Sequence, residues 1–156
     1  MLRKLLKPPN LNPKKVEQLK YLLIFYYILT LCYEWSWTWY AIGEYSKDIQ
    51  RYEEDEIWKR EFFKSTRNFF VFCQILTSLV LSLGLLATYR NLKVLLCVSI
   101  AMLIIEWGFE FIGIYTSMDF NVFVYKVIGM VMRPGLFILA SLHAWVMKSD
   151  AQTNIV

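Results

Sequence analysis

Four apolar blocks, at 21–43, 69–89, 94–115 and 122–147, alternate along this chain with polar stretches that carry most of its charge. Each block is about as long as the roughly 20 residues needed to cross a bilayer as a helix. The chain is 57% hydrophobic and 17% aromatic, above the roughly 45–50% apolar content of soluble domains. The expected fold is therefore an all-α integral membrane protein, a bundle of four transmembrane helices. This excludes a soluble catalytic domain, a nucleic-acid module and a small disulfide-stapled fold.

The polar stretches give the order of segments. Residues 1–20 are basic and interrupted by Pro8, Pro9 and Pro13. They lack the short apolar region and small-residue cleavage site of a removable signal peptide. The first span then acts as an uncleaved anchor, followed by a loop at 44–68, tight connections at 90–93 and 116–121, and a tail at 148–156. One side of the membrane receives nine Lys and Arg residues: Arg3, Lys4, Lys7, Lys14, Lys15, Lys20, Arg90, Lys93 and Lys148. The other receives six, all in the long loop (Lys47, Arg51, Lys59, Arg60, Lys64 and Arg67). The excess predicts cytoplasmic N and C termini and an extracellular or luminal loop. The plasma membrane is the expected location, with an endomembrane as the alternative.

The long loop, EYSKDIQRYEEDEIWKREFFKSTRN, has no Pro or Gly and is dense in helix formers. Glu56 and Arg60 stand four apart, the favourable order for a surface ion pair. A helical loop is expected, either a solvated cap or a partner-docking surface. Cys32, Cys73 and Cys97 all fall within spans, where they serve as small packing residues.

The spans also contain ionisable residues, and these are costly in hydrocarbon unless they face inward and pair. Glu34 lies in the first span, Glu106 and Glu110 in the third, and Lys126 and Arg133 in the fourth. Gln74 and Ser78 give the second span a polar stripe that runs on to Ser82, while Thr38 continues the stripe of Thr30 and Glu34 on the first. With a rise of about 1.5 Å per residue, Glu110 and Lys126 lie about 9 and 8 Å deep, and Glu106 and Arg133 about 15 and 18 Å. The expected pairs are Glu110–Lys126 and Glu106–Arg133, with Glu34 on the same level at roughly 13 Å. Three carboxylates against two cations leave one negative charge over. Either one carboxyl keeps its proton or a cationic guest completes the group.

Two further features bear on function. Trp35 and Trp39 share a face of the first span and read as an interfacial belt. With Trp107 and a carboxylate they could instead form an aromatic box for a cationic amine. Pro134 and Gly135 interrupt the fourth span beside Arg133, as a packing kink or as the binding site of a discontinuous helix.

Several chemistries lack their residues. A single histidine, His143, excludes bis-histidine haem, di-iron Glu-x-x-His and three-His zinc centres within one chain. There is no Cys-x-x-Cys pair and no glycine-rich phosphate loop. No catalytic residue, metal or cofactor is expected. Partners are the bilayer itself, other membrane proteins or a second copy, and anionic lipid at the basic N-terminus; nucleic acid is not among them. The leading functional reading is a non-enzymatic tetraspan: an auxiliary, scaffold or cell-junction component whose buried charges fix the bundle. The alternative is an intramembrane proton, cation or lipid/amine site on Glu34, Glu106, Glu110 and Arg133. A lipid-modifying enzyme using the same carboxylates is the third.

Overall fold

A computed structural model describes residues 12–51, 57–114 and 120–147, with the side chains of 109–123, Tyr125, Lys126 and Arg51 outside that description. Among the described residues every element is helical: α1 Pro13–Arg51, α2 Ile57–Arg90, α3 Lys93–Ile114 and α4 Phe120–Val146.

Helix α1 begins eight residues before the apolar block, inside the basic N-terminal segment, and the local chemistry explains this. Asn12 caps the helix, its side-chain oxygen accepting the Lys14 N–H at 3.1 Å and its carbonyl the Lys15 N–H at 2.8 Å. Pro13 occupies the first helical position, where its missing N–H costs nothing. With no Pro beyond it, the helix continues to Arg51 through 44–51 of the long loop, and α2 takes up 57–68; residues 52–56 lie outside the described set. At 39 and 34 residues, α1 and α2 are about 58 and 51 Å long, well beyond a hydrocarbon core of about 30 Å. The projecting turns carry i,i+3 pairs, Lys47–Glu44 and Lys64–Glu61, both at 2.7 Å. Lys64 holds the Glu61 carboxyl below the usual range, and Glu44 holds the Lys47 ammonium above it.

The α2–α3 connection is tight because α2 ends in a left-handed cap. Asn91 adopts φ 55°, its N–H meets the Thr88 carbonyl at 3.3 Å, and the Leu92 N–H meets the Ala87 carbonyl at 2.8 Å. This is the doubly bonded C-terminal motif that allows an immediate reversal, with Asn standing where Gly is commoner. At the same end, Lys20 Nζ donates to the Tyr89 carbonyl at 2.8 Å, and Lys93 Nζ lies 3.5 Å from the Met147 carbonyl. Lysines thus meet the carbonyls that the last turns of α2 and α4 leave unpaired.

The four helices close a ring: α1 packs on α2 and α4, and α3 packs on the same two. One half of the interior is apolar, built from Leu23, Tyr27, Leu81, Ala87, Leu96, Leu103, Leu136 and Ala140. Small residues let the backbones approach, as is usual between helices in a membrane. Tyrosines of α1 fill the notches that glycines open: a Cβ at Gly84 would lie 2.5 Å from the Tyr27 hydroxyl, and one at Gly135 would lie 2.5 Å from that of Tyr26. Toward the long loop, Trp37 packs edge-on to Phe70 at 6.2 Å and Tyr45 meets the same ring at 6.0 Å, so aromatics join α1 to α2 there. Burial, and secondarily Asp48, pushes the Tyr45 phenol up.

Candidate functional site

Beyond the apolar half of the ring, one level of the interior is polar. Glu34 of α1 and Arg133 of α4 are 1% and 3% exposed and form an ion pair. Arg133 Nη2 donates to Glu34 Oε1 at 2.7 Å and Nε to the same oxygen at 3.2 Å. Glu106 Oε1 of α3 stands 4.0 Å from Arg133 Nη2, and its side chain retains 28% exposure. The same Glu106 oxygen is hydrogen-bonded to the hydroxyl of Thr77 on α2. Every helix of the ring therefore contributes one member.

The residues arrive at this level through helical spacing. On α1, Thr30, Glu34 and Thr38 are all buried, one turn apart. On α4 the buried row runs Gly129, Arg133, Leu136, Ala140. On α3 it runs Ser99, Leu103 and then the half-buried Glu106. The buried hydroxyls satisfy themselves locally, Thr30 donating to the Tyr26 carbonyl at 2.8 Å and Thr38 to that of Glu34 at 2.7 Å. Such back-bonding makes a hydroxyl tolerable where water is absent. Pro134 lies inside α4 without ending it. Two residues earlier, the Met132 carbonyl accepts the Tyr26 hydroxyl at 3.0 Å, which ties α1 to α4 beside the ion pair.

Several expectations are met differently in space. The guanidinium of Arg133 takes Glu34 as a hydrogen-bonded partner, although α1 and α3 both pack on α4: Glu34 is fully buried against it, whereas Glu106 stands 4.0 Å away and keeps 28% exposure. The inward face of α2 is Gln74, Thr77, Leu81, Gly84 and Thr88, so the polar stripe leaves it after Gln74: Ser78 is half-buried and Ser82 exposed. Trp35 and Trp39 are 49% and 70% exposed, outward from the buried Glu34, while Trp107 packs edge-on to Phe137 at 6.1 Å. The side chains of Glu110 and Lys126 lie outside the described residues. Thr77 and Tyr26 were not legible as members of the site, though Thr77 sits one turn from Gln74. His143, 1% exposed, has neither ring nitrogen hydrogen-bonded among the described residues.

The described residues include two surface grooves. One, on α4, is lined by Phe137, Ile138, Ser141, Leu142 and Trp145. The other lies between α1 and α2, lined by Ile24, Ile28, Ser82, Leu85, Leu86 and Tyr89. Neither is lined by Glu34, Glu106 or Arg133. Among the described residues, no group of three His, Cys, Asp or Glu side chains could hold a metal ion.

The surface completes the picture by inversion. Phe25, Phe72, Leu79, Leu83, Met102, Ile105, Val131 and Ile138 are exposed, whereas Glu34, Arg133, Gln74, Thr77 and His143 are buried. Soluble proteins rarely expose contiguous apolar surface on this scale, and charged residues are almost never fully buried in them unless paired. Among the described residues, α2 and Val127–Val146 of α4 are long and apolar enough to cross a membrane. Fold and surface together support a helical membrane protein. No family model, curated protein or solved structure matches the chain.

Proposed function

We propose that this protein is a non-enzymatic tetraspan with cytoplasmic N and C termini, acting at the plasma membrane as an auxiliary or scaffold component, as at a cell junction. Its buried charges fix the bundle, and its outer helix faces and projecting turns meet a partner protein or a second copy. The observation that carries this reading is the closed Glu34–Arg133 pair, 1% and 3% exposed and away from both grooves. A pair so enclosed costs several kcal/mol to desolvate and is best attested as a device that sets register. The projecting turns support the partner role: Ile57, Trp58 and Phe62 are 71%, 69% and 62% exposed on the start of α2. Nine Lys and Arg residues on the side of the termini against six on the other support the orientation.

The test is extraction in mild detergent followed by native mass spectrometry of the protein with whatever copurifies. We expect a stoichiometric assembly, with itself or with a second membrane protein, that is lost when Trp58 and Phe62 are both changed to Ser. A homogeneous monomer without a protein partner overturns the reading.

A further inference from the structure

The ion pair leaves Glu106 with a different task from Glu34. Arg133 directs two guanidinium hydrogen bonds, from Nη2 and Nε, at the same atom, Glu34 Oε1. Glu106 stands 4.0 Å from the nearest guanidinium nitrogen, at the limit of an ion pair and beyond a hydrogen bond. Among the described residues, Glu106 is hydrogen-bonded to a neutral hydroxyl, that of Thr77.

That hydroxyl has one proton and two oxygen neighbours. Thr77 Oγ1 lies 3.0 Å from the Cys73 carbonyl of its own helix, the same i−4 contact that Thr30, Thr38 and Thr88 make. A carbonyl accepts and never donates. If Thr77 gives its proton to Cys73, as the other three threonines do to their own i−4 carbonyls, the contact with Glu106 is a hydrogen bond only when Glu106 supplies a proton of its own. The wider count agrees: the spans hold Glu34, Glu106 and Glu110 against Lys126 and Arg133, one negative charge too many for hydrocarbon. Gln74, one turn before Thr77 on the same buried face, is 7% exposed and has its carbonyl oxygen without a hydrogen-bond partner among the described residues. This level of the interior is thus rich in acceptors and short of protons.

We propose that Glu106 is a proton-binding site, holding a proton that it donates to Thr77 while Arg133 is committed to Glu34. The step is a simple exchange: hydronium gives its proton to the Glu106 carboxylate and leaves as water, and hydroxide or water removes it again. Glu106 is the member suited to this exchange because its side chain keeps 28% exposure, where Glu34 has 1%. Among the described residues, the charged groups that face it are Arg133 from α4 and, past the guanidinium, Glu34 from α1; from α2 it meets the uncharged Thr77. Loss of the proton makes Glu106 a second anion beside Arg133 Nη2, in competition with Glu34 for the same donor. Proton occupancy at Glu106 thereby controls how firmly α4 is held to α1. This goes beyond the scaffold role and does not depend on it.

Infrared difference spectroscopy of the purified protein in lipid reads the site directly, through the C=O stretch of a protonated carboxyl group. At neutral pH we expect this band in the wild type, its loss on raising the pH, and its absence in Glu106→Gln at neutral pH and above. Thr77→Val removes the acceptor and moves the band to higher frequency, so the proposal is decided even if Glu106→Gln fails to fold. Addition of sodium or potassium chloride at constant pH leaves the band in place. The proposal is overturned by a neutral-pH band that persists in Glu106→Gln, by its absence from the wild type, by a frequency unmoved in Thr77→Val, or by displacement with salt at constant pH.

Discussion

Arg133 shows how far a residue's position along a helix determines its chemistry. Counting the helical rise places Glu34, Glu106 and Arg133 on one level, and all three lie in one polar layer of the bundle. Depth does not say which carboxylate a long side chain will choose. That depends on how the side chains are enclosed where α4 meets its two neighbours, a fact of packing between residues 99 positions apart. The tyrosine–glycine notches were illegible for the same reason, since Tyr27 and Gly84 meet only after the chain has reversed. Their geometry gives a prediction at this scale. A methyl group at Gly84 would lie 2.5–2.8 Å from three atoms of the Tyr27 ring end, and Tyr27 is fully buried. Overpacking of that kind costs about 1–3 kcal/mol, which outweighs the gain of up to about 1 kcal/mol from replacing a mid-helix glycine. Gly108 has nothing within 4 Å of such a methyl group. Thermal unfolding in one detergent should show a lower Tm for G84A and an equal or higher Tm for G108A. If both shift in the same direction, the notch does not carry the α1–α2 packing.

The helices themselves were more legible than their ends. Each of the four apolar blocks lies on a helix over its described part, Met147 just past the end of α4 excepted; a helix satisfies its own backbone, as a run that crosses hydrocarbon must. The helical character of 44–51 and 57–68 followed from the absence of Pro and Gly. The early start of α1 was missed because Pro13 reads as a breaker in sequence but caps comfortably at the first helical position. The projecting parts of α1 and α2 carry a topological prediction. In a variant with Cys32, Cys73 and Cys97 replaced by Ala, a single cysteine at Lys64 should react with an impermeant maleimide from the outer or luminal side of sealed vesicles. A single cysteine at Lys14 should react only from the cytoplasmic side. Labelling of both from one side would exclude the four-span arrangement.

As a whole, the molecule is inverted relative to a soluble bundle: aliphatic and aromatic side chains are exposed along its helices, and an ion pair, Glu34–Arg133, lies buried at the centre. Composition gave the first half of this description and the order of blocks the rest. Function is less legible, because a buried ion pair looks the same in sequence whether it holds a fold together or awaits a guest. The ring closes where α4 returns to α1, and Glu34–Arg133 is the charged contact at that seam. If the pair is there to hold the seam, its two members are energetically coupled. A double-mutant cycle in lipid, reading the free energy of reversible unfolding of wild type, E34M, R133M and E34M/R133M, measures that coupling. Each single change strands one buried charge and should cost about 3–5 kcal/mol, whereas removing both should cost less than either alone. Losses that simply add in the double variant would show that Glu34 and Arg133 act independently, and that the bundle does not rest on their pairing.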